Sequence, residues 1–177
     1  MTYKIFGIGL SRTGTTSLAY ALKEIGINIV HYPMSEAQLF DPENDGACDI
    51  PVITYYKELD KKFPNSKFIY TFREKEEWLN SMAVYLPRKK DWPKSAWQTQ
   101  HRMAVYERED FDRDAFAKRY DLHDTDVREY FKGREQDLLI LNICEGDTTE
   151  KLFSFIGVFN ENAPKTFSNK NKLRIKQ

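Results

Sequence analysis

Near the start of the chain, Gly9-Leu10-Ser11-Arg12-Thr13-Gly14-Thr15-Thr16 separates a short apolar run from a segment with helical spacing. Its two glycines stand where a phosphate-binding loop has them, but position 15, usually lysine in such a loop, is threonine. A helix opening near Gly14 directs unpaired backbone N–H groups and about half a positive charge at whatever the loop encloses. The hydroxyls of Ser11, Thr13, Thr15, Thr16 and Ser17 add donors, and Arg12 returns the missing cation as a planar fork that can pair two oxygens. These residue types suit an oxyanion. Other chemistry-bearing residues stand at the ends of apolar runs: His31, Arg73, and Asn142 to Glu145.

The elements that must position them follow from periodicity. Apolar runs at 4–9, 27–31, 67–72 and 138–143 read as strands, and Leu18, Ala21, Leu22 and Ile25 place a helix after the loop. Asp49-Ile50-Pro51 supplies a capping carboxylate and an early proline for a helix that must end before Pro64. Further helices are expected from Glu74 to Ala83, around Val127–Phe131, and through Leu152–Ile156 with Gly157 as the stop. Tyr32–Ala47 reads as mostly loop, and 86–120 reads as helical without fixed boundaries. Strands joined by helices require crossovers, so the expected fold class is α/β, a three-layer P-loop fold with a central parallel sheet flanked by helices. Ligands collect at the carboxyl ends of such strands, where the residues above converge.

The chain has 177 residues, 41% of them apolar, enough for one domain spanning 1–177 with a basic tail at 165–177. Twenty-seven Lys+Arg balance 27 Asp+Glu, which gives no global field for nucleic acid. The tail carries five positive residues and no acid, and is expected to be a solvated end. No apolar stretch is long enough for a membrane helix, and the first residues read as a strand rather than a signal core, so a cytoplasmic location is expected. Cys48 and Cys144 have no partners in sequence and are expected to be reduced packing residues, with no metal site.

Without the loop lysine, and with no convincing hydrophobic strand ending in an aspartate to hold Mg²⁺, nucleoside-triphosphate hydrolysis is disfavoured. A transferred group with less charge than a phosphoryl fits better. GLSRTGTTSL resembles the 5′-phosphosulfate loop of PAPS-dependent sulfotransferases, particularly the compact bacterial type with an R-T-G-T-T-S-L run. In that family an arginine after a central strand and a serine eight positions later bind the donor's 3′-phosphate. FIYTFREKEEWLNS supplies Arg73 and Ser81 at that spacing. The resemblance extends over D-I-P-V near residue 50 and Y-F-x6-L-L-I-L-N through Asn142. The carboxyl-terminal Arg-Lys-Gly segment of larger members is absent, and Lys170, Lys172 and Arg174 are its candidate substitutes.

The resemblance implies transfer of a sulfuryl group from PAPS to a hydroxyl or amine of a small-molecule acceptor, with 3′,5′-ADP released and no metal required. Ser11–Ser17, Arg73 and Ser81 would hold the donor, and Arg12 would also stabilise charge on the leaving phosphate. A hydroxyl acceptor needs a base. Asp49, in a region where the family commonly has an acid facing the acceptor, is one candidate, His31 a second and Glu145 a third. Two other readings stay open: a small P-loop kinase, and a non-catalytic nucleotide-binding domain.

Overall fold

A computed structural model describes residues 3–89, 95–159 and 163–168. In chain order the elements are β1 (Ile5–Gly7), α1 (Thr15–Glu24), β2 (Ile29–His31), α2 (Glu36–Leu39), β3 (Gly46–Cys48), α3 (Ile50–Lys62), β4 (Lys67–Thr71), α4 (Lys75–Lys89), α5 (Ala96–Tyr106), α6 (Arg113–Tyr130), β5 (Leu138–Leu141) and α7 (Thr149–Phe155). The five strands are all parallel, in the order β2-β3-β1-β4-β5. The α/β architecture expected from the sequence is the one observed.

Alternation along the strands sorts side chains to the two faces of the sheet. Ile5, Ile29, Cys48 and Ile69 pack with Leu18 and Leu22 of α1 and Leu152 and Phe153 of α7. Phe6, Ala47, Phe68 and Tyr70 face the other way, against Val52, Tyr56 and Leu59 of α3 and Val127 of α6. A third cluster lies around Leu10, where β1 leaves the sheet. There Trp78, Leu79 and Met82 of α4 meet Val105 and Tyr106 of α5 and Phe116 and Tyr120 of α6. This helical cluster packs directly behind the loop that follows β1.

Two expectations need correction. The segment 32–47, read as mostly loop, contains α2 and the beginning of β3, which lies between β1 and β2. Its residues, Gly46-Ala47-Cys48, lack the β-branched signature, and at Gly46 there is no room for any side chain. A Cβ on Gly46 would come within 1.8 Å of the Ile5 carbonyl oxygen. The missing strand that ends in an acid therefore exists: β3 ends at Cys48 and Asp49 follows it.

The second correction concerns the ends. Ala163 and Phe167 pack against the α1/α7 cluster, and Ser168 accepts a hydrogen bond through its carbonyl from Ser17 Oγ at 2.8 Å. The tail thus begins as a docked segment, while Lys170, Lys172 and Arg174 lie outside the described residues. Cys48 is buried as expected, but Cys144 is exposed.

Gly46→Ala should force β1 and β3 apart at the centre of the sheet, because the obstructing atom is backbone. Urea unfolding is expected to give a stability loss of at least about 1–3 kcal/mol; an unchanged midpoint would show that the strands can shift at little cost.

Candidate active site

Three sections of chain meet at the carboxyl edge of the sheet: the β1–α1 loop, the β3–α3 junction, and the start of α4. Gly9 allows the loop to pass β4, since a Cβ there would lie 2.3 Å from the Thr71 carbonyl oxygen and closer still to its hydroxyl. Thr13 Oγ1 donates to the Leu10 carbonyl (2.7 Å) and shares a hydrogen bond with Thr71 Oγ1 (2.8 Å). From behind, Tyr106 Oη accepts from Ser11 N (3.1 Å) and Trp78 Nε1 donates to the Ser11 carbonyl (2.8 Å). His123 Nε2 lies 2.8 Å from the Ile8 carbonyl. Burial keeps its imidazole below the ordinary pKa, so this nitrogen donates in the neutral form. One residue from each of α4, α5 and α6 fixes the loop.

The loop opens α1 without a side-chain cap and without an acid in the first turn. The N-terminal N–H groups of the helix thus keep their partial positive charge. Arg12, at φ 75°, brings its guanidinium 5.1 Å from the Tyr85 ring centroid. Its Nε donates to Ser81 Oγ at 3.1 Å. Burial, and then the nearby charge of Arg73, pull the Arg12 pKa down, with Tyr85 opposing. The first loop and the segment 73–81 are therefore on the same side of the molecule. Arg73 pairs with Glu77 at 3.1 Å, yet its buried Nε has no hydrogen-bond partner among the described residues. Such an orphan donor, costly when left unmade, suits an anion.

Asp49 lies on the other side of the loop. Its side chain is 11% exposed and its backbone has φ 84°, a conformation that costs about 1–3 kcal/mol for a non-glycine residue. Oδ1 accepts from Ile50 N (2.8 Å) and Ser11 Oγ (3.4 Å), while Oδ2 accepts from Thr15 Oγ1 (2.9 Å) and lies 3.1 Å from His31 Nε2. Burial alone would raise this carboxyl, but His31, Thr15 and the Ile50 N–H together hold it below the ordinary value. His31 also lies 3.3 Å from Thr16 Oγ1.

Most of the hydroxyls expected to face an anion are thus engaged with the protein: Ser11 and Thr15 with Asp49, Thr13 with Thr71, Ser17 with Ser168. The cationic side of the loop consists of Arg12, the backbone at Gly14 and the start of α1, and Arg73. Glu145 is exposed in a single 3-10 turn, Ile143–Glu145, after β5. Among the described residues no group of three or more His, Cys, Asp or Glu side chains is arranged to hold a metal.

The sequence profile of the sulfotransferase domain family matches residues 4–44 and 37–174. The chain belongs to the sulfotransferase domain family. A sulfotransferase from Alicyclobacillus acidocaldarius superposes with a TM-score of 0.60 at 15% identity, over 96% of this chain and 87% of that one. The mouse sulfotransferase SULT7A1, solved complexed with PAP, superposes with a TM-score of 0.53 at 14% identity, over 92% of this chain and 61% of the mouse protein. At the sequence level, 107 residues are 29% identical to Ava biosynthesis cluster protein M of Aspergillus versicolor. That match covers 45% of this sulfotransferase-family chain and 41% of the fungal protein, so less than half of the curated relative's length is spanned.

Reading the sequence missed Trp78 and Tyr106 as loop supports; Arg102 lies on α5 over the Tyr106 ring, 5.7 Å from its guanidinium to the ring centroid. A signal was available in Ser95-x-x-Gln98, where Ser95 Oγ caps Gln98 N at 3.1 Å. It fixes the start of α5 and sets Gln98, His101, Arg102, Val105 and Tyr106 along one face.

Because the Asp49 carboxyl is depressed in the folded state, its contribution to stability is fully present above the unfolded value near ~3.9 and disappears as pH falls through the folded value. Asp49→Asn is expected to unfold more readily at pH 7, by about 1–3 kcal/mol. Denaturant titrations should show the gap to the parent protein narrowing at acid pH below that window; a gap constant throughout would mean the charge contributes nothing.

Proposed function

We propose that the chain is a PAPS-dependent sulfotransferase acting on a hydroxyl or amine of a small acceptor. The observation that carries this reading is the contact of Arg12 with Ser81, beside an uncapped helix N-terminus and the unpartnered Nε of Arg73. It brings two cationic groups into one neighbourhood, as a donor with phosphates at both its 5′ and 3′ positions needs. The PAP in the mouse protein of like fold gives this donor class further support.

In this reading the backbone at Gly14 and the start of α1 hold the 5′-phosphate end, and Arg73 with Ser81 holds the 3′-phosphate. Transfer joins the acceptor oxygen to sulfur while the bond from sulfur to the phosphate oxygen breaks. Arg12 stands where negative charge would collect on the departing phosphate, so its stabilisation grows as that bond breaks. The proton leaving the acceptor goes to His31. Asp49 is a weak base, being buried, depressed in pKa and engaged at both oxygens. It is well placed to orient His31: with Nε2 donating to the carboxylate, the lone pair on Nδ1 is left to accept the proton.

The kinase alternative gains a strand-end aspartate in Asp49, but the oxygens that would bind Mg²⁺ already accept four hydrogen bonds or ion-pair contacts from the chain. Calorimetry should therefore rank 3′,5′-ADP well above 5′-ADP and Mg-ATP. Arg73→Ala should remove that preference, weakening 3′,5′-ADP by about tenfold or more while leaving 5′-ADP nearly unchanged; tighter binding of Mg-ATP would overturn the assignment.

His31→Gln should lower turnover by about 10²–10⁴-fold with 3′,5′-ADP affinity retained. Full activity in that variant, measured over an acceptor panel, would return the base to another residue.

A further inference from the structure

Where α3 and α5 pack together, two buried polar atoms have no hydrogen-bond partner among the described residues: Nε1 of Trp97 and Nε2 of His101. Both side chains stand on α5, one helical turn apart, with ring centroids at 4.0 Å and planes at 66°. Tyr55 of α3 stacks on Trp97 (5.9 Å, 12°) and tilts against His101 (5.3 Å). Phe40, just after α2, meets Tyr55 edge-on at 5.5 Å. The cluster adjoins the His31–Asp49 pair through two stretches of chain. Thr54, which touches His101, lies in the second turn of the helix that Asp49 caps. Met34, close behind His31 in the chain, accepts at Sδ from Gln98 Nε2 at 2.7 Å.

Buried polar atoms are seldom left unpaired, and what these two lack is decided by Thr54. Its hydroxyl lies 2.9 Å from the Pro51 carbonyl and 2.8 Å from His101 Nδ1. A carbonyl only accepts and a hydroxyl has one proton. Both contacts are therefore hydrogen bonds only when Thr54 donates to Pro51 and Nδ1 donates to Thr54. His101 is 4% exposed, and burial holds its pKa below the ordinary value against the opposing pull of Glu36, so the ring is neutral at pH 7. With its single proton on Nδ1, Nε2 presents a bare lone pair. Trp97 Nε1 can only donate. The two orphans are thus opposite in kind, one donor and one acceptor on neighbouring rings.

A single atom that accepts from Nε1 and donates to Nε2 satisfies both, and a hydroxyl oxygen does this. An ether or ketone oxygen only accepts and leaves Nε2 unpaired. A carboxylate or phosphate sets negative charge against the lone pair, and an ammonium meets the indole N–H with like polarity. Tyr55 and Trp97 are half-buried, so a flat apolar body has aromatic surface to lie against.

We propose that Trp97 Nε1 and His101 Nε2 form a subsite for one uncharged hydroxyl group on a small aromatic molecule. That this molecule is the acceptor rests on the sulfotransferase reading; the hydroxyl site itself rests on the side chains of α3 and α5.

The test is a titration of the isotope-labelled full chain, read by NMR at the Trp97 indole N–H and the His101 imidazole nitrogens. Without ligand, the imidazole should carry its proton on Nδ1; a proton on Nε2 would overturn the subsite. The probes are phenol, anisole and benzoate at neutral pH, where phenol is uncharged. Phenol should shift both signals and bind about tenfold or more tightly than anisole, which has no proton for Nε2. Benzoate should move neither signal. Trp97→Phe, which keeps an aromatic ring and removes the donor, should abolish the preference for phenol, read at His101. Thr54→Val, which releases the imidazole proton from Nδ1, should reduce it.

Signals that phenol leaves untouched, or moves no more than anisole does, would mean that the pair holds water only and would overturn the proposal. A preference that survives Trp97→Phe would do the same by placing phenol elsewhere. Repeating the titration with saturating 3′,5′-ADP tests the acceptor assignment, which loss of phenol binding would overturn. Failure of the parent protein to bind 3′,5′-ADP would overturn the donor reading instead, and the nucleotide-free titration would still judge the hydroxyl site.

Discussion

The geometry of the whole edge depends on one buried carboxylate. A charge with little access to water must be met by donors, and Asp49 draws them from separate parts of the chain: Ile50 N, Ser11 and Thr15 on either side of the loop turn, and His31 at the end of β2. The loop, the start of α1 and the end of β2 are thereby held in register around a single group. The left-handed backbone at Asp49 and at its neighbours Arg12 and Tyr32 fits the same pattern, since strained residues persist where surrounding structure fixes them.

Engaging the carboxylate also decides what the loop can offer a ligand. Hydroxyls of Ser11 and Thr15 that donate to Asp49 cannot donate outward at the same time. The donors that the fold leaves directed at the loop are the first N–H groups of α1 and the guanidiniums. The helical cluster behind the loop makes this arrangement stiff, because Trp78, Tyr106 and His123 each bond to its backbone. Stiff donors aimed at developing charge need no reorganisation when the charge appears.

How much of this could be read in advance depended on whether the residues act locally. β1, α1, α3 and β4 were legible because their periodicity and caps are properties of neighbouring residues. β3 was not, because its three small residues answer to the backbone of β1, contacted at Ile5 from forty residues away. The loop and the Arg73–Ser81 pair carried motifs, while Trp78, Tyr85 and Tyr106 carried none. Their role comes from packing of α4 and α5 beside the loop, which no spacing within either helix encodes. The commitment of loop hydroxyls to internal partners was invisible for the same reason: Thr13 meets Thr71, and Ser17 meets Ser168, only once the chain is folded.

The threonine at position 15 and the acid at 49 are coupled by this geometry. Thr15 Oγ1 lies 2.9 Å from Asp49 Oδ2, which is also the oxygen that faces His31. A lysine at 15, the usual residue of a phosphate loop, would bring an ammonium to the same carboxylate. The resulting ion pair would neutralise the loop's cation and compete with His31 for the oxygen that orients it. With threonine at 15, the hydroxyl satisfies the acid without adding charge, and the loop's cation moves to Arg12, where Nε bonds Ser81 and the guanidinium lies beside Arg73. The departure from the common motif is therefore what leaves the Asp49–His31 pair intact beside a loop whose cation is Arg12.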